Sequence, residues 1–497
     1  MFNRANSQIE RRINSLEQHL RQENPVLLKV VQSFRDLDWV AYRMGLLKPE
    51  ESFATRVPWW PLISILGTFS SGKSTFINSH LGIPLQRTGN QAVDDKFTVI
   101  CFSNEDQVHT LPGLALDADP RFPFYQISNE IERVVSGEGR RIDAYLQLKT
   151  CPSEQLRGKI MIDSPGFDAD AQRTSTLRIT DHIMDLSDLV LVFFDARHPE
   201  PGAMRDTLDH LVANTINRHD SNKFLFILNQ IDCTVREDNL EDVVAAWQRA
   251  LAQSGLTAGR FYQIYNKGAS MPIDDEQQRQ RYESKLEEDI SDLMERIHRV
   301  EIERAYRIIG VLEHTANLIR DEVVPKVSAM MREWRRGVLL FDGILLAVLA
   351  VLALVWNISS ANPWSWIGAM LALPWQSTEG WGWSHAGAIA VAAAALSLLS
   401  YSHFLGRRLV AKMVLRRNEK KNLHSDLTEF LRKAFTKNSS SLHSIFGNTP
   451  AGWGRRANAR INWILKETDA YVQNMNDQFT NPSGNPGGKN PSVIEVN

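Results

Sequence analysis

The stretch LISILGTFSSGKSTFINSHLG, from Leu62 to Gly82, decides the fold class of this chain. Its first residues, Leu62 to Leu66, form an apolar run typical of a buried strand, and a helical pattern begins at Thr75. Between them lies a G-x-x-x-x-G-K-[ST] loop, which binds phosphate in nucleotide-binding domains. An incidental Gly/Ser-rich turn is the alternative, but the strand–loop–helix context is the one that the phosphate-binding motif requires.

Each part of this loop has an expected role toward a nucleotide. Gly67 and Gly72 permit a tight backbone path, and Lys73 reaches the β- and γ-phosphates. The hydroxyl of Ser74 is expected to bind Mg²⁺. Successive backbone amides and the N-terminus of the following helix would surround the phosphates, which adds three expected nucleotide-binding residues, Ser70, Ser71 and Thr75.

Two later motifs indicate which nucleotide is bound. KIMIDSPG ends a predicted strand at Asp163, whose carboxylate would hold Mg²⁺ through water, while the backbone N–H of Gly166 would meet the γ-phosphate. FLFILNQID ends another strand at Asn229 and places Asp232 to accept two hydrogen bonds from guanine, whereas adenine presents the opposite pattern. Asn266, in YNKGAS, either contacts the base through its backbone or belongs to an ordinary loop. The expected ligands are therefore GTP and Mg²⁺.

Short apolar runs alternate with helical patterns around these motifs, which predicts an α/β sheet with helices on both faces. The predicted strands are Leu62–Leu66, Phe97–Phe102, Ala144–Leu148, Ile160–Ile162, Leu189–Phe194, Phe224–Leu228 and Phe261–Tyr265. Long helical patterns precede and follow this region. The last residues, 480–497, are rich in Pro, Gly and Asn, which predicts disorder.

Residues 337–406 predict a transmembrane hairpin. Val338–Ile358 and His385–Gly406 are apolar and long enough to cross the hydrocarbon layer of a membrane. Lys and Arg flank the outer ends of both segments, but the Trp-rich loop between them has neither, so both ends are expected to face the cytoplasm. The alternative is a buried apolar helical pair inside a soluble domain.

The charge balance argues against nucleic acid as a partner. The chain has 56 Lys and Arg residues against 58 Asp and Glu residues, so no overall basic field exists. The basic cluster after Gly406 is better explained by membrane topology and anionic lipid. We therefore expect a lipid bilayer, and no nucleic acid, among the partners.

The order GTFSSGKS, DSPG and NQID resembles the translation-factor-related GTPases and, within them, the dynamin-like large GTPases. GTFSSGKSTFIN is similar to the bacterial dynamin-like and Eps15-homology-domain branches, and VDDKFTVICF (93–102) is similar to switch I of the latter. The resemblance implies a P-loop GTPase domain at 55–275 and a helical-bundle stalk. The stalk would comprise residues 1–54, 276–336 and 407–479 and carry the membrane hairpin, as in bacterial dynamin-like and mitofusin-like proteins.

The chain departs from the family's pattern at several positions. Phe69 stands where dynamins carry a P-loop Gln that positions the attacking water, and Phe167 stands where Ras-like proteins carry a catalytic Gln. Gln230 replaces the Lys of the N-K-x-D motif. Another group must therefore orient the water, and pairing of two G domains across their nucleotide faces would complete each site. The expected catalytic residues are Ser70, Lys73 and Gly166.

Switch I is the third departure. The Thr expected near Val93 or Asp94 is absent in that register. Thr88 and Thr98 are the nearest candidates for the second Mg²⁺ ligand, and Thr88 is the one that we assign.

These observations predict a membrane-anchored GTPase that couples GTP hydrolysis and G-domain dimerisation to membrane remodelling, tethering or fusion. Self-association is expected through the G domains and the stalk. The predicted location is a bacterial inner membrane, with two spans and with both termini and the GTPase domain cytoplasmic. The alternative is a GTP-gated membrane scaffold or signalling protein with little hydrolysis. A transporter or pore is weaker, because two spans with Asp342 as their one marginal acidic residue offer little for a pathway.

Overall fold

The computed structural model describes residues 5–23, 25–89, 96–117, 127–134, 136–166, 174–198, 221–253, 259–270, 272–359, 383–419, 425–440, 443–447 and 449–480. The chain divides into two compact units. The sheet unit comprises residues 8–32 and 53–311, and the helical unit comprises residues 1–7, 33–52 and 312–497.

In the described residues, the sheet unit contains a mixed sheet of eight strands in the order β3-β4-β2-β5-β1-β6-β7-β8. The strands are β1 (Leu62–Gly67), β2 (Phe97–Phe102), β3 (His109–Pro112), β4 (Leu146–Cys151), β5 (Ile160–Asp163), β6 (Leu189–Asp195), β7 (Phe224–Asn229) and β8 (Arg260–Ile264). Strands β5, β1, β6, β7 and β8 are parallel, and β2 runs antiparallel to β5. This arrangement confirms the predicted α/β fold of G-domain type.

The long helical regions predicted before and after the sheet in the sequence are also present. The helices are α1 (Ser7–Glu23), α2 (Pro25–Met44), α3 (Lys73–Leu81), α4 (Ile127–Val134), α5 (Ile142–Tyr145), α6 (Thr174–Leu186), α7 (Leu240–Gln253), α8 (Glu276–Asn317), α9 (Val324–Ser359), α10 (Trp383–Glu419), α11 (Ser425–Asn438) and α12 (Arg455–Thr480). Helix α1 ends at Glu23 and α2 begins at Pro25. Proline suits the first turn of a helix, because a backbone N–H in that turn would have no partner within the helix.

The parallel strands bring the motif residues to one edge of the sheet. Gly67, Asp163, Asp195 and Asn229 are the last residues of β1, β5, β6 and β7. In the register, Ile65 lies beside Asp163 and Asp195 lies beside Asn229. Because carboxyl ends of parallel strands meet at one edge, loops far apart in sequence converge there.

The first part of α8 is fixed to the sheet by polar contacts within the sheet unit. The hydroxyl of Tyr262 donates to Asp292 at 2.6 Å, and Lys159 pairs with Glu301 at 2.5 Å. Farther along, Arg304 and Arg307 both contact the buried carboxylate of Asp188. This portion of α8 therefore packs on the sheet over many turns.

In the helical unit, a π-helical segment, Leu318–Val323, joins α8 to α9. Pro325 follows it and cannot donate a backbone hydrogen bond, and its ring crowds the preceding turn. A local widening of the helix relieves that conflict.

Helices α9 and α10 pack against each other in antiparallel directions. The indole of Trp334 donates to the carbonyl of Arg407 at 3.1 Å, and His403 Nδ1 lies 2.8 Å from Asp342 Oδ2. A Cβ atom on Gly406 would overlap the ring of Phe341, so this glycine permits the close approach.

The outer surface of this pair carries exposed large apolar side chains. They are Leu339, Leu340, Ile344, Leu346, Val348, Leu349, Val351, Leu352, Leu354, Val355 and Ile358 on α9, and Leu396, Leu398, Tyr401, Phe404, Leu405, Leu409 and Met413 on α10. In the described part of the chain, one helical run, Glu276–Val355, is long and apolar enough to cross a membrane. Only 6% of its apolar window is buried, unlike the core helix of a soluble protein. The second span remains a prediction, and the Trp-rich loop and residues 481–497 lie outside the described residues.

Candidate nucleotide site

A cavity of about 430 Å³ lies at the carboxyl edge of the sheet. The P-loop, the D-x-x-G segment, the N-x-x-D segment and the loop after β8 all contribute to its wall. The predicted site residues that line it are Ser70, Ser71, Gly72, Lys73, Ser74, Thr75, Thr88, Asp163, Gly166, Asn229, Asp232 and Asn266. Gly67 lies at the base of the P-loop, where its carbonyl accepts a hydrogen bond from Lys73.

Lys73 is buried, and carbonyl groups of the P-loop hold its ammonium group. Its Nζ donates to the carbonyl of Gly67 at 2.9 Å and to that of Thr68 at 3.0 Å. Burial lowers the pKa of Lys73 to about 8, and the nearby charge of Asp163 offsets part of this effect. A triphosphate would stabilise the ammonium form, because phosphate oxygens carry the opposite charge.

The N-x-x-D segment holds the P-loop backbone. Asn229 Nδ2 donates to the carbonyl of Ser71 at 2.8 Å, and Gln230 Nε2 donates to the carbonyl of Ser70 at 2.6 Å. Gly72 has a φ of +84°, and a Cβ atom there would overlap the amide of Asn229. Gln230, which replaces the motif's Lys, therefore still supplies a donor to this loop.

Arg197 is a residue of this cavity that the sequence analysis did not identify. Its guanidinium contacts Asp195 at 2.6 Å and the carbonyl of Ser70 at 3.3 Å. The hydrogen bond to Asp195 raises the pKa of Arg197. The sequence signal that could have identified Arg197 is its position two residues after Asp195, the last residue of a buried strand. Since β6 is parallel to β1 and β7, its carboxyl end lies at the same edge of the sheet as the P-loop.

The oxygen donors in the cavity suit Mg²⁺. Ser74, Thr88 and Asp163 all line it, and Mg²⁺ prefers few carboxylates together with substrate phosphates. Among the described residues, no group of three or more His, Cys, Asp or Glu side chains is arranged to hold a metal ion. Thr98, the other candidate, is buried on β2 and accepts a hydrogen bond from Gln147 at 2.7 Å.

Phe69 packs against the D-x-x-G segment. A Cβ atom on Gly166 would lie 3.1 Å from the ring of Phe69. An apolar ring, and not the Gln amide that dynamins carry at this position, therefore lies beside Gly166. Phe167, Val93 and Asp94 lie outside the described residues.

Residues 63–231 match the family model described as the Dynamin family. Human EH domain-containing protein 3 is 27% identical over 182 residues, which are 35% of this chain and 31% of that protein. Bovine EH domain-containing protein 1 is 27% identical over 183 residues, with the same coverage. The chain therefore spans 31% of the length of these curated relatives.

Solved bacterial dynamins are similar at lower identity. One belongs to an oligomerised bacterial dynamin pair described as a mechanism for long-range sensing and tethering of membranes. It is 14% identical, with 93% of this chain and 74% of that chain covered and a TM-score of 0.32. LeoA, a bacterial dynamin GTPase from ETEC, is 14% identical, with 95% and 88% covered and a TM-score of 0.29. These scores are too low to support an inference about fold or function.

The family match covers the P-loop, D-x-x-G and the start of N-x-x-D, and it confirms the predicted resemblance to dynamin-like proteins and the Eps15-homology-domain branch. Residues 63–231 therefore resemble the G domain of the dynamin family, which is a GTPase domain.

Proposed function

We propose that this chain is a membrane-anchored, dynamin-like GTPase that couples GTP hydrolysis and G-domain pairing to membrane remodelling, tethering or fusion. The observation that carries the proposal is the single cavity at the sheet edge. Phosphate-binding, metal-binding and base-binding motifs all contribute to its wall, and the first and last of them are joined by a hydrogen bond between residues 158 positions apart, Ser71 and Asn229.

GTP is the proposed substrate, because Asp232 lines the cavity beside Gln230 and Asn266. Its carboxylate would accept hydrogen bonds from the N1–H and the exocyclic amine of guanine. Adenine offers no such pair of donors and would leave the acceptors without partners.

The chemistry is proposed to depend on charge stabilisation and positioning. Lys73 would move from the P-loop carbonyls to the β- and γ-phosphates, and the backbone N–H of Gly166 would contact the γ-phosphate. Ser74, Asp163 and Thr88 would hold Mg²⁺, with Asp163 acting through water. When bound, the ion would neutralise charge on the phosphate oxygens.

Pairing of G domains is proposed because Phe69, rather than a hydrogen-bonding side chain, packs against Gly166. A second copy facing the cavity would order the loops around it and exclude water from the reacting phosphate. Hydrolysis would then depend on protein concentration.

The membrane anchor is proposed to be the α9–α10 pair, crossing the bilayer twice. Both helices present apolar side chains outward. Exposed basic side chains lie on both helices at the end away from the connecting loop: Arg332 and Arg336 on α9, and Arg408, Lys412 and Arg416 on α10. By the positive-inside rule, both termini and the GTPase domain are cytoplasmic, which in a bacterium is the inner-membrane orientation.

A GTP-gated membrane scaffold is the second candidate function. The contact between Phe69 and Gly166 favours it, because an apolar ring cannot orient an attacking water. Such a scaffold would bind GTP, recruit partners through the switch loops and turn over slowly.

The test compares GTP with ATP hydrolysis by the full-length protein, in detergent and in liposomes, over a wide protein-concentration range. The proposed function predicts selective GTP turnover per molecule that rises with concentration or with lipid. Tight GTP binding with negligible turnover in every condition would favour the scaffold. Equal turnover of ATP and GTP would contradict the assignment of Asp232.

A further inference from the structure

Gln86 connects the carboxylate of the D-x-x-G motif to a buried lysine. Its side chain is only 3% exposed. Gln86 Nε2 donates to Asp163 Oδ2 at 2.6 Å, and Gln86 Oε1 accepts from Lys149 Nζ at 2.5 Å. An ammonium group can only donate and a carboxylate can only accept, so one orientation of the amide satisfies both neighbours.

Lys149 directs its charge toward this amide. It lies on β4, is 9% exposed, and also approaches the carbonyl of Leu85 at 3.4 Å. Because the interior screens charge weakly, the ammonium polarises the Gln86 amide and strengthens its donation to Asp163.

The backbone of Gln86 is fixed as firmly as its side chain. Asn78 of α3 accepts from the Gln86 N–H at 2.7 Å and donates to the Gln86 carbonyl at 2.8 Å. Arg87, Thr88 and Gly89 follow directly and line the nucleotide cavity. Gln86 therefore joins α3, β4 and β5 at the start of the segment that carries Thr88.

We propose that Gln86 is a positioning residue for the metal site, with Lys149 as the charge behind it. It holds one carboxylate oxygen of Asp163, so that the carboxylate keeps a fixed orientation in the cavity. This inference rests on the proposed function, because it requires Asp163 to bind the metal ion of a metal–nucleotide complex. Groups that hydrogen-bond to metal-binding carboxylates typically contribute about 10–100-fold to metal affinity.

The test is a Mn²⁺ titration, followed by electron paramagnetic resonance, of the full-length protein with bound GDP. In Gln86→Leu, the Mn²⁺ dissociation constant should rise about tenfold or more. GDP affinity measured in EDTA should stay within about twofold of wild type, because the base and phosphate contacts remain. Lys149→Met should weaken Mn²⁺ binding in the same direction. In the double variant, Mn²⁺ affinity should fall no further than in the more strongly affected single variant, because the two side chains act through one hydrogen-bonded chain.

Gln147→Leu is the matched control. It removes an amide on β4 that donates to Thr98, two residues from Lys149, and leaves the contact between Gln86 and Asp163 intact. Its Mn²⁺ affinity should match wild type. An unchanged Mn²⁺ affinity in Gln86→Leu, or an equal loss in Gln147→Leu, would overturn the inference. So would an equal loss of GDP affinity in EDTA, because the effect would then not be specific to the metal.

Two further outcomes are decisive. If Gln86→Leu does not fold, Lys149→Met decides the question by the same titration. If the wild-type protein binds no guanine nucleotide, the proposed function fails together with the inference. Failure of the inference alone leaves wild-type binding intact.

Discussion

The carboxyl edge of the sheet and the α9–α10 pair differ in how their side chains are partnered. At the sheet edge, buried polar groups find partners within the chain, such as Lys73 with two P-loop carbonyls and Asn229 with Ser71. On α9, Leu340 and Ile344 are 66% and 65% exposed, within a long run of exposed apolar residues.

The difference indicates what each region binds: the sheet edge presents polar groups to a ligand, and the α9–α10 pair presents apolar side chains to a partner surface. At the sheet edge, hydrogen bonds within the chain fix the backbone of the P-loop. The apolar pair exposes a long run of large hydrophobic side chains, which is unusual for a protein surface without a partner. Such a surface contacts either a membrane or another protein, and lipid is the partner that we propose.

The largest effect is expected for Lys73 at the sheet edge. Lys73→Ala removes the cation that is expected to contact the β- and γ-phosphates, so GTP turnover should fall about a thousandfold or more. Membrane insertion should not change. Phosphate release assays and liposome flotation measure the two effects. Lys285→Ala, at a partly exposed lysine of α8, is the control. Turnover within about tenfold of wild type would remove Lys73 from the reaction.

Placing a charged side chain on the exposed apolar surface of α9 tests the proposed membrane anchor. Val348 is 51% exposed near the middle of the predicted first span. Val348→Arg should reduce insertion by about a hundredfold, because a charge at the centre of a membrane helix costs about 2.5–3.5 kcal/mol on the insertion scale. Carbonate-resistant protein after cell-free synthesis with liposomes measures this. Val311→Arg, at a 45% exposed position of α8, should insert normally; equal behaviour of the two variants would contradict the membrane assignment.

Asp232 is the residue of the sheet edge that is proposed to select guanine. Asp232→Asn replaces one of two acceptors with a donor, so GTP affinity should fall by about thirtyfold. Affinity for XTP should rise, because xanthine presents a carbonyl in place of the exocyclic amine of guanine. Competition binding with both nucleotides measures the change. Asp238→Asn, at an exposed aspartate that pairs with Arg281, should keep the preference for GTP.

The smallest expected effect is a pH dependence from Lys73. Its pKa is lowered to about 8, so the ammonium form predominates below pH 8 and is lost above it when no nucleotide is bound. Bound phosphate raises this pKa. Binding at pH 8.5 should therefore take up about three-quarters of a proton, and affinity should fall about fivefold from pH 8 to pH 9. Calorimetry in buffers of different ionisation enthalpy measures the uptake, which should nearly vanish at pH 7. No uptake at pH 8.5 would show either that burial does not lower the pKa of Lys73 or that bound phosphate does not raise it.

The sequence was informative where a motif follows a buried strand. Gly67, Asp163 and Asn229 each end such a strand, and parallel topology then requires them to meet. Strand β3 escaped prediction because His109–Pro112 is a short and mostly exposed edge strand that lacks an apolar run. The predicted strand Ala144–Leu148 began two residues early, because Ile142–Tyr145 forms a helical turn.

Side-chain connections across the fold had no sequence signal. The contact of Gln86 with Asp163 joins residues 77 positions apart, and its contact with Lys149 joins residues 63 positions apart. Neither Gln86 nor Lys149 belongs to a motif, and each has a polar residue next to it, Arg87 and Thr150, so nothing in the local pattern predicts a buried hydrogen-bonded chain. Such partners become visible only when strand register and loop path are known.

The hydrogen bond between His403 and Asp342 has a consequence for the order of membrane assembly. In the two-span anchor that we propose, either helix entering hydrocarbon alone would bring in an unmatched polar group, whereas the preformed pair enters with the two groups joined at 2.8 Å. Rotating one helix by a single residue, about 100°, would separate them. The two helices are therefore expected to insert as one unit in a fixed rotational setting, rather than one after the other.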